Sequence, residues 1–245
     1  MYFDEYGSDN EQIIVMLHGA NFVHCFKKQY VLAEQYHIIV PHLMGYGKET
    51  DKTFHTDEQI AELTHFILSF GKKVMLVGFS LGAQIGYRLV SEHPELFSGA
   101  VLISPWLIKD EQLINKVMKQ NMKQLAMLKR KMMCRFVAKA NGLSSDECRE
   151  FVAQMQNVTE DTVRNAVDNG IVLENVKEFE FVEVPILALA GQKEDAVVTD
   201  SVRKMADVND SCRCQIWDKA GHDIPFRCAE RLNELIENMM ERKCD

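Results

Sequence analysis

No CxxC pair and no cysteine–histidine cluster with zinc spacing occurs in these 245 residues, so a structural zinc site has no obvious ligands. The seven cysteines, at 25, 134, 148, 212, 214, 228 and 244, are odd in number and scattered. They read as reduced thiols rather than a disulfide framework. Cys212 and Cys214 stand two apart and would share one face of a strand. No stretch approaches the ~18 consecutive apolar residues of a membrane span. The opening segment MYFDEYGSDN is acidic and has no apolar h-region, so it does not read as a signal peptide, and the expected compartment is the cytoplasm. A basic excess is absent too. The 28 Lys and Arg face 36 Asp and Glu, a formal net charge of −8 that argues against a nucleic-acid partner. Internal repeats and low-complexity segments are missing. What remains is an ordinary globular mix, 47% hydrophobic and 26% charged. The length suits one large domain, or one domain carrying an insertion, with a core that needs no metal or disulfide.

Short apolar runs alternate with amphipathic stretches. Ile13–Leu17, His37–Val40, Val74–Val77, Val101–Ile103 and Ile186–Ala190 read as strands, with Arg213–Trp217 as a further one. Most are apolar throughout rather than alternating, as expected of parallel strands buried on both faces. Helical patterns lie near Val23–Tyr36 and over Thr56–Phe70, Leu81–His93 and Phe226–Met240. This rhythm predicts an α/β fold with a doubly wound, mostly parallel sheet. It breaks between Pro105 and Val184, where strand signals are scarce. There Ile114, Met118, Met122, Leu125, Met132 and Phe136 fall on one side of a helix. Glu147–Met155 and Glu160–Val167 read as further helices, capped by Ser145 and Thr159. Residues 105–184 are therefore expected to form a helical insertion in a core made of 1–104 and 185–245.

The sharpest chemical signal is Gly78-Phe79-Ser80-Leu81-Gly82, directly between a strand and a helix. A turn this tight strains the serine backbone and demands small neighbours two before and two after. It lifts the Ser80 side chain above the sheet, in front of a helix N-terminus that favours developing negative charge. A nucleophilic serine needs a base and an orienting acid. His222, in Ala220-Gly221-His222, is the only histidine after position 93. The acid is expected after the strand Ile186–Ala190, where Glu194 and Asp195 compete. Two backbone N–H groups must hold the oxyanion, and Leu81 and Ala20 are the candidates. Ala20 belongs to His18-Gly19-Ala20-Asn21, where His18 reads as structural rather than as a second base. Asn21 is a candidate for substrate contact or for capping the turn.

Strand-HGAN, PHLMGYG, GFSLG, a late acidic loop and AGH together make the chain resemble the α/β-hydrolase superfamily, over residues 10–104 and 185–243. The resemblance implies a helical cap where the insertion lies. It also bears on the acid, since Glu194 has the family's spacing from Gly191 while Asp195 is the more frequent residue type. His42 departs from the family pattern P-D-L-x-G-x-G, which has aspartate at that place. Only Tyr2–Tyr6 precedes the strand at 13, so the first of the family's eight strands is expected to be missing. Serine at the elbow sets the chain apart from dehalogenases and epoxide hydrolases, which typically carry aspartate there.

The expected function is a serine hydrolase cleaving a small, fairly apolar carboxylic ester or thioester, with no cofactor and no metal. The same triad equally serves amide or C–C hydrolysis and acyl transfer, and a ligand-binding regulator with a vestigial triad is the reading from another class. Met118, Met122, Met127, Met132, Met133 and Met155 are expected either to line an adaptable pocket or to pack the cap. Trp106 is expected at the pocket or at the cap hinge. The run Lys129-Arg130-Lys131, with Arg135 and Lys139, reads as a solvated face. Residues 105–140 carry nine basic and two acidic side chains, and 141–184 three basic and ten acidic. The halves of the cap are thus expected to attract each other, or a second copy in a homodimer.

Overall fold

The apolar runs are two-faced strands. In the computed structural model, which describes residues 1–241, Ile13, Val15 and Leu17 pack into one hydrophobic cluster and Ile14 and Met16 into another. The chain runs β1 (Phe3–Tyr6), β2 (Ile13–Leu17), a kinked 3-10 helical stretch (Val23–Glu34), β3 (His37–Pro41), α1 (Thr56–Leu68), β4 (Val74–Phe79), α2 (Leu81–Glu92) and β5 (Phe97–Ile103). Four helices follow, α3 (Glu111–Leu128), α4 (Lys131–Ala140), α5 (Ser145–Asn157) and α6 (Glu160–Val167). The sheet then resumes with β6 (Ile186–Gly191), α7 (Ala196–Val208), β7 (Cys212–Trp217), α8 (Ile224–Arg227) and α9 (Ala229–Glu241). Seven strands are described, in the order β1-β3-β2-β4-β5-β6-β7. All neighbours pair in parallel except β1, which runs antiparallel along β3. One face of the sheet is covered by α1, α2 and α7, the other by the 3-10 stretch and α9, while the inserted helices pack mainly on one another. The expected doubly wound, mostly parallel sheet is therefore what forms.

The four-residue β1 carries no sequence signal, because its side chains alternate between exposed and half-buried at a sheet edge. β5 starts four residues before Val101, at Phe97, and the run of small residues Ser98-Gly99-Ala100 hides its beginning. The single stripe expected from Ile114 to Phe136 belongs to two helices. The extended backbone of Arg130 separates α3 from α4 and re-aims the latter, so that Cys134 and Ala138 face inward. Met132 and Phe136 are consequently 80% and 67% exposed, while Leu125 stays buried. The cap of α5 is Ser144, not Ser145. The Ser144 hydroxyl accepts the N–H of Glu147, and the Glu147 carboxylate accepts the N–H of Ser144. Thr159 caps α6 as expected.

The oppositely charged halves of 105–184 pack against each other, α3 on α6 and α4 on α5, with Lys129 and Gln156 exchanging hydrogen bonds across the join, yet among the described residues no ion pair links them. Lys27–Glu147, Lys48–Glu150 (3.2 Å) and Lys204–Glu174 (2.6 Å) instead tie the acidic half to the flanking segments. Lys116–Asp195 (3.7 Å) does the same for the basic half. The six cysteines among the described residues are free, Cys212 and Cys214 pack toward the same cluster, and Cys244 lies outside those residues. No helix among the described residues is long and apolar enough to cross a membrane.

Candidate active site

Ser80 joins β4 to α2 with φ 53° and ψ −113°, a left-handed backbone that a serine adopts only under constraint. The constraint is packing on both sides. A Cβ on Gly82 would lie 2.0 Å from the Leu17 carbonyl oxygen, and one on Gly78 would lie 2.5 Å from the Gly82 carbonyl oxygen. The turn is thus pressed against the end of β2, which carries the His18–Asn21 loop to the serine. Gly82→Ala is expected to cost about 3 kcal/mol, lowering the melting temperature by roughly 6–12 °C. A thermal melt within a degree or two of wild type would show that the elbow has room to spare.

His222 stands in the loop after β7, its ring 5.0 Å from that of Phe79. Its Nδ1 lies 2.7 Å from Glu194 Oε2 and its Nε2 3.1 Å from Ser80 Oγ. A carboxylate only accepts, so Nδ1 carries the proton and Nε2 is left with a lone pair facing the serine hydroxyl. Of the two competing acids, Glu194 is the one at the imidazole. Asp195 stands at the start of α7 in a largely exposed position, without a side-chain capping bond, facing Lys116, and forms no hydrogen bond with His222. The Glu194 side chain is only 2% exposed. Burial alone would raise its pKa. The hydrogen bond and charge of His222, then the donors Ser104 Oγ (2.6 Å) and Gly191 N–H (2.8 Å), outweigh burial and hold it below the usual value.

Nothing in the local sequence marks Ser104. It follows β5 with φ 55°, beside the strand that delivers Glu194, and only that adjacency reveals its role. Its hydroxyl fixes Oε1 and so turns Oε2 toward His222.

Leu81 opens α2, where the first N–H groups have no intrahelical acceptor. Ala20 lies in the turn after β2, between the bridged residues Gly19 and Phe22. Both line a cavity of about 790 Å³ together with Ser80, His222, Asn21 and Trp106. Trp106, expected at the pocket or the hinge, is thus a lining residue. Phe22, Phe151 and Phe226 form an aromatic wall there, with ring centroids 5.0 and 5.6 Å from that of Phe22. Of the six methionines expected either to line a pocket or to pack the cap, only Met127 lines the cavity.

His18 and His42 are held within the fold. The buried His18 donates Nδ1–H to the Gly19 carbonyl and accepts the Leu43 N–H at Nε2. Burial pushes its pKa from 6.5 down to about 3. Above 6.5 both folded and unfolded chains hold the neutral ring. Below it the unfolded chain takes up a proton that the folded chain refuses until about 3, so stability falls as pH falls through that window. The share of the loss between pH 7.5 and 5 that His18 contributes is expected to be about 2 kcal/mol and to be missing from His18→Asn, which keeps the smaller loss from His24, whose pKa burial also lowers. Urea unfolding of both proteins at the two pH values checks this, and equal losses would refute it. His42, which replaces the family's aspartate, links the Lys48 N–H (2.8 Å) to Asp4 on β1 (3.2 Å).

Fold and site together define an α/β protein with a serine elbow and a facing histidine–carboxylate pair. The sequence pattern of the alpha/beta hydrolase family matches residues 14–235, and the chain belongs to that family. It is 34% identical over 109 residues to the uncharacterized hydrolase YugF of Bacillus subtilis (strain 168), a match spanning 42% of this chain and 40% of that protein. Among solved structures it is similar to MenH from S. aureus (TM-score 0.74, 18% identity, 99% of each chain covered). It also resembles a thermophilic esterase from Thermogutta terrifontis (TM-score 0.72, 17% identity, 99% of this chain and 93% of that one). A putative lipase from Acinetobacter baumannii AYE superposes with a TM-score of 0.78, at 16% identity over 98% and 87% of the two chains. At these identities the structural likeness concerns the fold.

Proposed function

We propose that this protein is a serine hydrolase that cleaves small carboxylic esters or thioesters through an acyl-enzyme on Ser80. The observation that carries this reading is the unbroken line Glu194 Oε2–His222 Nδ1, His222 Nε2–Ser80 Oγ, opening into a cavity that the serine lines. His222 Nε2 takes the hydroxyl proton as Ser80 Oγ attacks the carbonyl carbon. The N–H groups of Ala20 and Leu81 hold the oxyanion. His222 then passes the proton to the leaving alcohol or thiol, and afterwards draws one from the water that hydrolyses the acyl-enzyme. Glu194 keeps Nδ1 protonated and stabilises the imidazolium. Helices α3–α6, inserted as residues 105–184, act as a cap over the serine. The aromatic wall of Phe22, Phe151 and Phe226 suits a fairly apolar portion of the substrate.

A fluorophosphonate probe on wild type and Ser80→Ala tests the proposal. Labelling that disappears with the serine supports it. Equal labelling of both proteins, or of neither, would sink it.

A further inference from the structure

The cavity is not uniformly apolar. Twelve buried side-chain nitrogen and oxygen atoms among the described residues have no hydrogen-bond partner, and four of them belong to residues lining this one cavity. They are both amide atoms of Asn21, the hydroxyl of Tyr46 and the indole nitrogen of Trp106. The three residues are 4%, 1% and 9% exposed. They stand on three separate loops, at the C-terminal ends of β2, β3 and β5, so no single turn motif explains them together. The left-handed backbone of Asn21 (φ 64°) accounts for an asparagine or glycine there, but not for a buried amide with nothing to bind. Burial holds the Tyr46 hydroxyl protonated, with its pKa raised.

Charge on the same lining is confined to the segment Lys193–Asp195 beside His222. α3 carries Lys116, Lys119 and Lys123, yet the positions it turns to the cavity include Gln120, Asn121 and Gln124. Glu194 is committed to His222, while Lys193 and Asp195 are exposed.

Resting on the hydrolase reading above, we infer that the preferred substrate is an ester bearing a neutral hydrogen-bonding group, a hydroxyl or an amide, which Asn21, Tyr46 and Trp106 recognise. Trp106 Nε1–H only donates, so the group must offer an acceptor oxygen. The Asn21 amide and the Tyr46 hydroxyl both donate and accept, so they satisfy that group's own N–H or O–H. A plain alkyl chain would leave these buried groups unpaired, and a site of this kind discriminates against such analogues.

The test uses two size-matched pairs. One is the p-nitrophenyl ester of N-acetyl-γ-aminobutyric acid against p-nitrophenyl heptanoate, and the other the butyric monoester of ethylene glycol against propyl butyrate. Wild type is expected to favour the polar member of at least one pair by about tenfold in kcat/KM, mostly through KM. Tyr46→Phe, and Asn21→Gly, which keeps the left-handed backbone open, are each expected to lower that ratio about fivefold or more. Tyr46→Phe removes only a hydroxyl that the fold does not use, so its melting temperature should not fall. A structural role for the hydroxyl would lower the melting temperature and leave the ratio alone, which overturns the inference. Preference for the alkyl member in both pairs, or ratios unmoved by both variants, also overturns it while the hydrolase reading stands. Turnover of none of the four esters ends both.

Discussion

Ser80→Ala should lose ester turnover by about 10⁴-fold or more while keeping the fold. In the proposed mechanism the Oγ is the atom that forms the acyl bond, and no other hydroxyl stands within hydrogen-bond reach of His222 Nε2 among the described residues. What would remain after its removal is catalysis from positioning and from the two proposed oxyanion N–H groups, which is small beside a covalent path. The fold should survive. Alanine is smaller than serine, and it inherits the same φ of 53° that the packed glycines already impose. Circular dichroism should therefore match wild type while steady-state hydrolysis of a p-nitrophenyl ester disappears. A variant that retains a tenth of wild-type turnover would mean that another group, or a bound water, performs the attack.

The second large effect separates two adjacent carboxylates. Glu194→Gln should lower kcat about 10³–10⁴-fold, whereas Asp195→Asn should stay within about threefold of wild type. The reason lies in who donates to Glu194. Ser104 Oγ and the Gly191 N–H both point at Oε1, so a glutamine keeps its carbonyl oxygen there. Its NH₂ then faces His222 Nδ1, and two donors cannot share that bond. The ring must move its proton to Nε2, where it no longer accepts the proton of Ser80. Asp195, by contrast, has a side chain 67% exposed, and its ion-pair partner Lys116 is itself largely solvated. Steady-state kinetics on one activated ester suffices. If both variants run near the wild-type rate, the acid of the proposed triad lies elsewhere.

Much of the sheet is legible in the amino-acid sequence, because a strand buried on both faces has to be apolar at every position. β2 spans the run Ile13–Leu17, and β6 extends Ile186–Ala190 by one glycine. The elbow is legible for a related reason. Its glycines answer a local steric demand, and local demands are written in contiguous residues. The edge strand β1 is hidden, since an exposed edge asks for no apolar pattern. The break between α3 and α4 is hidden as well. Helical spacing at Met132 and Phe136 continues the register of α3, and only the extended backbone at Arg130 shows that the register is lost.

Contiguous residues alone carry the alternation of strands and helices, and they are what proposes the place of the insertion and Ser80 and His222 as candidate nucleophile and base. Each rests on local patterning or on there being no rival residue downstream. Which of Glu194 and Asp195 meets the imidazole was settled only by the packed molecule. Packing also disclosed Ser104 behind that carboxylate, and the convergence of Asn21, Tyr46 and Trp106 on one cavity. Those facts depend on side chains from different strand ends meeting in space. Hydrogen bonds between residues 28, 90 and 142 positions apart leave no periodicity in the chain to read.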